Sequence, residues 1–342
     1  MAYTTVNDPS AHFQATKYTG NGSTQSITNS GNSNLKPDLA WIKDLGSAYD
    51  HKLQDSSRGS TYTLETNETT AAYNDTDAVT SFNTDGFSLG SNGNVNDNTA
   101  TLIAWQWKAN GGTEATNNDG TVTTYVQLNS TAGFSIVKWT GNGNTSGTIG
   151  HGLGAIPDMI IRRDYSVVTN WAVAFPKQET SKLMVLNTNA AFGAASGMSG
   201  YTSTVFTDGS GASSANSIAY CYKNIKGYSQ FGKYTGNASA DAGPFIYTGF
   251  SPAWLMIKRT DSTNSWYLID NTRDPFNIAK AELEANTNGV QASGNDRLNI
   301  LSNGFKINTS GSAYNASGGT YAYAAFAQMP LVATNNVISL AR

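Results

Sequence analysis

The sequence predicts an all-β protein of three tandem β-sandwich units, of jelly-roll or lectin-like kind. Three observations predict it. Asn, Ser, Thr and Gly fill 145 of 342 positions while only 13% of residues are charged, and this starves the exposed helix faces that Glu, Lys, Arg and Ala normally build. Hydrophobic residues still make 39% and aromatics 11%, enough for packed cores and more than disordered chains carry. The third observation is a set of landmarks that recurs three times in one order.

The recurrence begins at Tyr18-Thr-Gly-Asn-Gly22, Trp139-Thr-Gly-Asn-Gly143 and Tyr234-Thr-Gly-Asn237. A proline follows the aromatic residue by 19, 18 and 18 positions, at Pro37, Pro157 and Pro252. Each proline opens an apolar run that ends in a base: Leu39 to Lys43, Met159 to Arg163 and Trp254 to Lys258. Fourteen residues after the prolines stand His51, Trp171 and Trp266. Next come Leu64-Glu-Thr-Asn67, Leu186-Asn-Thr-Asn189 and Leu283-Glu-Ala-Asn286, then the turns at Asp85-Gly86, Asp208-Gly209 and Asn303-Gly304. Alternating strands close the units: Ile103 to Lys108, Ile218 to Lys223 and Tyr321 to Phe326.

These landmarks divide the chain into an N-terminal arm (1–11), repeat one (12–112), a linker with a short strand (113–133), repeat two (134–228), repeat three (229–331) and a C-terminal tail (332–342). Within repeat one, period-2 alternation predicts eight strands: 12–18, 23–28, 39–43, 49–54, 61–65, 78–82, 87–89 and 101–108. Asp-Gly and Asn-Gly between the last strands supply the positive φ that tight hairpins need. The clearest helical stretch is Ala279 to Ala285, at most two turns.

A net charge of −3 and no basic run leave no footprint for nucleic acid or an anionic membrane surface. No apolar run reaches the length of a membrane span, and Met1-Ala-Tyr-Thr-Thr lacks the regions of a signal peptide. The expectation is a protein made in a cytoplasm and not exported by that route. Cys221 is the only cysteine, so no internal disulfide forms.

The catalytic and metal patterns read as packing or turns. His12, His51 and His151 occupy different repeat positions, whereas a metal or catalytic constellation converges on one point. No Gly-x-Ser-x-Gly elbow and no ladder of paired carboxylates stands on a strand. Asp75-Thr-Asp77 and Asn94-Val-Asn-Asp-Asn98 read as Asx turns in preference to calcium ligands. Catalytic residues, cofactor and metal are therefore expected to be none. Recurring aromatics, such as Trp41 with Trp254, are expected in the core. Tyr49, Tyr73, Phe192 and Tyr201 do not recur and are the candidate surface contacts for a glycan or a protein.

Tyr18-Thr-Gly-Asn-Gly-Ser-Thr-Gln-Ser-Ile27, Pro37-Asp-Leu-Ala-Trp-Ile-Lys43 and Ser81 to Gly90 together resemble a repeat domain in virion proteins of marine tailed bacteriophages, of tail-fibre-like kind. Thr131 to Val137, Gly150-His-Gly-Leu-Gly154 and the ending Pro330 to Arg342 extend the resemblance, which covers nearly the whole chain. Repeat three departs from the pattern at Ala238 and Ala253. The resemblance implies a non-enzymatic structural protein on the outside of a phage particle, as a fibre, collar or capsid-decorating module assembled in the host cytoplasm. It implies other virion proteins as partners and a homo-oligomer, a trimer in the first instance, with residues 1–11 as a docking arm. A host-surface glycan adhesin is the alternative, and a polysaccharide depolymerase stands behind it.

Overall fold

The computed structural model describes residues 4–143, 146–194, 197–209 and 214–330, and these are nearly all in antiparallel strands and turns. Each sequence repeat contributes one large and one small sheet. In repeat one the large sheet runs Phe13–Thr19, Thr101–Trp107, Leu39–Asp44, Lys52–Asp55, Gly59–Glu65 and Tyr73–Asn74. Its small sheet joins Gln25–Ile27, Phe87–Leu89 and Val79–Phe82. All eight strands read from alternation are present within two or three residues, with Tyr73–Asn74 added at the edge. Repeats two and three repeat the plan: in each, the first strand and the proline-led strand flank the closing strand, as Phe134–Thr140 and Met159–Asp164 flank Asn216–Tyr222.

The two faces of each large sheet bury different things. Outward-facing Tyr18, Ile42, Leu102 and Ala104 pack with Ile27, Phe87 and Leu89 of the small sheet. In repeat two Val137, Trp139 and Ile160 do the same with Ile149 and Phe206. Inward-facing side chains of all three large sheets meet in one common core that includes Trp41, Trp105, Ile136, Trp171, Tyr220, Trp254, Trp266 and Phe326. Phe326 shows the convergence. Its ring lies 5.3 Å from Phe13 and 5.6 Å from Trp107 of repeat one, 5.7 Å from Tyr222 of repeat two and 5.7 Å from Phe231 of repeat three. Strands buried on both sides read as continuous apolar runs, and Leu39–Asp44 and Met159–Asp164, which open with such runs, show no exposed position.

Four readings of the sequence change. Ala279 to Ala285 forms no helix: it carries the short strand Leu283–Glu284 and bridges from Ala279 and Glu282, because tertiary pairing overrides a weak propensity. Segment 113–133 holds two strands, Ala115–Asn117 and Thr124–Asn129, which extend the large sheet of repeat two. The described part of the N-terminal arm, residues 4–11, is folded onto its own chain. Val6 joins the common core, and Thr4 donates its Oγ1 to the Lys226 carbonyl at 2.6 Å. The fourth is register: Lys258 pairs with Ala322 as Lys43 pairs with Ile103, so Ala322 and not Tyr321 is the equivalent of Ile103. A one-residue slip moves a side chain to the other face, so Tyr321 packs toward its own small sheet. The C-terminal tail, 332–342, lies outside the described residues.

Candidate functional site

The four candidate contact residues are spread over the molecule and half-buried. Tyr73 sits in the edge strand Tyr73–Asn74, where its hydroxyl donates to Glu65 Oε1 and accepts from Lys52 Nζ, each at 2.9 Å. Tyr201 packs against the sandwich core of repeat two with its hydroxyl buried, and burial pushes that hydroxyl's pKa up. Tyr49 turns its hydroxyl toward Gly93. Phe192 packs against the common core and lines a cleft with Glu179, Lys182, Lys233, Asp261 and Thr320. The structure brings none of the four together. More exposed rings, which alternation alone did not single out, are Phe245 and Tyr247 on the edge strand Phe245–Tyr247.

Each histidine is hydrogen-bonded within the fold. Trp41 donates Nε1 to His51 Nδ1 at 3.0 Å, which leaves the His51 proton on Nε2, facing the Glu284 carbonyl at 3.2 Å. Burial first, then the charges of Lys43 and Arg273, hold His51 well below the ordinary histidine value. His151 accepts from the Leu153 amide, and His12 lies against Asn129 and Tyr228. Among the described residues no three His, Cys, Asp or Glu side chains form a metal-binding group. The stretch Asn94 to Asn98 overlaps a single helical turn, Gly93–Asn96, capped by the Asn92 side chain. Asn96 in that turn donates to Gly90 O and accepts from the amide of Asn21. Asn315 accepts from the amide of Asn237 in the same way. The Thr-Gly-Asn turn of repeats one and three is thus a docking point for a buried asparagine.

The residues at matched positions join one repeat to the next in cyclic order. Trp171 donates Nε1 to the Glu65 carbonyl at 2.8 Å, Trp266 to Val185 at 3.0 Å, and His51 faces Glu284. Backbone bonds repeat the cycle: Ala72 to Tyr165 O, Phe192 to Thr260 O, and Gln291 to Leu45 O, at 2.7, 3.0 and 2.9 Å. Tyr165, Thr260 and Leu45 each lie eight residues past the repeat's proline. The amides of His51, Trp171 and Trp266 are held by Asn67, Asn187 and Asn286. Asn187 and not Asn189 is therefore the equivalent in repeat two, two residues before the position that sequence likeness selects. A further polar pair links Trp105 Nε1 to Asp270 Oδ2 and Tyr220 to Asp55 Oδ2. At the third interface the matching positions are Ala324 and Phe175, both in the common core, so an apolar pair replaces a polar one.

Two of the basic residues that end the proline-led runs, Arg163 and Lys258, reach across these joints. Arg163 donates to the carbonyls of Glu65, Glu68 and Thr70 with its guanidinium over the Trp171 ring. Lys258 donates to the Arg259 carbonyl and, across the joint, to that of Asn189 at 3.4 Å, whereas Lys43 stays within its own repeat, on the Asp44 and Ser47 carbonyls. Burial lowers both lysines to about 8.

Fold and joints define an all-β protein in which three sheet pairs share one core and a closed cycle of inter-repeat hydrogen bonds. Residues 8–330 match the family described as a domain of unknown function, DUF7483, and the chain belongs to that family. No curated protein and no solved structure matches the chain.

Proposed function

We propose that this chain is a non-enzymatic structural protein on the exterior of a bacteriophage particle, working through contacts with other virion proteins. The observation that carries this reading is the cycle of joints. The side chains that recur and could do chemistry, His51, Trp171, Trp266, Arg163 and Asp55, are spent holding repeat to repeat. A chain that commits His51, Arg163 and Asp55 to its inter-repeat joints suits a role in which shape is the product. The virion-protein resemblance of Tyr18 to Ile27 and Pro37 to Lys43 supports the same setting. Self-association into a trimer of whole chains belongs to the proposal and is read by sedimentation. Gold-labelled antibody against this protein, applied to purified particles, should decorate the surface at fixed positions on head or tail. Particles that carry no label while containing their other proteins would overturn the reading.

The alternative, a host-surface glycan adhesin, is favoured by one observation: Phe192 borders a cleft that also presents carboxylates, lysines and hydroxyls. That reading expects saturable binding on a glycan array, weakened by Phe192→Ala. An array without signal would remove it.

A further inference from the structure

The three joints of the cycle are built from equivalent positions but differ in what fills them. Between repeats three and one lies a cleft of about 360 Å³ lined by Lys17, Leu45, Gly46, Thr101, Arg273 and Gln291. Between repeats two and three a cleft of about 360 Å³ has Lys233, Thr260, Asp261, Thr320, Gln178 and Phe192 at those same six places. The correspondence follows the chain: each lysine precedes the aromatic residue of the Thr-Gly-Asn motif, and Gln178 and Arg273 both lie 21 residues past a proline.

At the joint between repeats one and two the lysine of the set is Lys138. There the chain fills the place itself. The guanidinium of Arg58 lies over the Tyr165 ring at 5.8 Å, and Lys138 Nζ pairs with Glu114 at 2.9 Å while donating to the Ser57 carbonyl at 2.6 Å. Glu114 stands just before the strand Ala115–Asn117, on the segment that crosses from one repeat to the next. One of three equivalent lysines has therefore been given a glutamate by its own polypeptide.

Lys17 has no such partner: among the described residues no carboxylate lies within ion-pair distance of it. No acidic residue lines its cleft either. The second cation there, Arg273, is fixed by Asp270 and the Leu268 carbonyl, and its Nη1 reaches Gln291 Oε1 at 3.4 Å. By contrast, the cleft of Lys233 already contains Glu179 and Asp261.

We propose that the cleft between repeats three and one binds a glutamate side chain on an extended segment of another protein, as Glu114 serves Lys138. Lys17 provides the charge, Thr101 and Gln291 provide hydrogen-bonding groups, and Leu45 provides an apolar wall. A carboxylate is the fitting anion because a carboxylate fills the equivalent place. This names the chemistry of a partner in the assembly role proposed above and rests on that reading. It is tested without particles, so the two stand or fall separately.

The probe is an acetylated peptide copying residues 110–118, titrated into the isotope-labelled full-length protein and followed by the amide resonances of Gly46, Thr101 and Gln291. Saturable shifts at those amides are expected, with a dissociation constant of about 1 mM, the weak end of specific recognition. A peptide carrying Glu114→Gln should bind about tenfold more weakly, since hydrogen bonds to charged groups carry roughly one decade. Lys17→Gln in the protein should do the same, and Lys17→Arg should restore binding. Equal binding of both peptides, or no shift at about 10 mM peptide, overturns the proposal. So does galacturonate moving the same amides at lower concentration than the peptide, which would give the cleft to an acidic sugar.

Discussion

The indole Nε1 of Trp171 donates to the backbone carbonyl of Glu65, 106 residues away in the preceding repeat, at 2.8 Å. Both groups are buried, so neither has water as a substitute partner. Trp171→Phe keeps an aromatic ring but removes the donor and part of the indole volume, leaving the Glu65 carbonyl to Arg163 and the Glu68 amide alone. The expected loss is about 1–3 kcal/mol of stability, read as a lower denaturation midpoint with an unchanged slope. Trp266→Phe should behave alike through Val185. A loss confined to one of the two would show that the joints are not equivalent.

One core serves all three repeats, so they should melt together. Calorimetry is expected to give a single transition whose calorimetric and van't Hoff enthalpies agree. Phe326→Ala removes the ring that touches all three repeats and should cost about 3–5 kcal/mol while keeping one transition. Two or three resolved transitions in the unaltered protein would mean that the repeats fold as separate domains.

Ala238 sits at φ +57° in the turn where the other repeats have Gly22 at +66° and Gly143 at +77°. A left-handed conformation strains an alanine, and glycine adopts it freely. Ala238→Gly should therefore raise stability by up to about 1 kcal/mol, with the reverse change Gly22→Ala lowering it by a similar amount. Thermal melts of the two single variants check the sign.

Stability should fall as pH drops from about 6.5 toward 5. Burial depresses His12, His51 and His151 below 6.5, so in that window the unfolded chain binds more protons than the folded one. The contribution is complete above the unfolded value and is lost as pH falls toward the folded values. His51→Asn should flatten the melting-temperature profile between pH 6.5 and 5. A profile as steep as that of the unaltered protein would place the titration elsewhere.

Local structure was legible from the sequence because it rests on neighbours in the chain. Alternation placed the strands of repeat one, the spacing from Pro37, Pro157 and Pro252 located His51, Trp171 and Trp266 in equivalent places, and recurrence marked the tryptophans as core. Likeness between short motifs misled where it competed with geometry. Asn189 resembles Asn67 in its tetrapeptide, but the amide of Trp171 is held by Asn187. Tyr321 resembles Ile103 in its alternation, but the ladder places Ala322 there. Period 2 cannot distinguish a register from its neighbour, and only the partner strand settles it.

The sequence by itself determined an all-β chain with a threefold internal pattern. Tertiary structure alone decided that the large sheets turn inward to a single core, that each repeat grips the carbonyls of the one before it, and that Lys17 and Lys233 border clefts while Lys138 meets Glu114. The physical reason is separation along the chain: the groups of each joint lie about 70 to more than 200 residues apart. Nothing in a periodicity or a turn motif specifies which distant carbonyl a buried indole will meet.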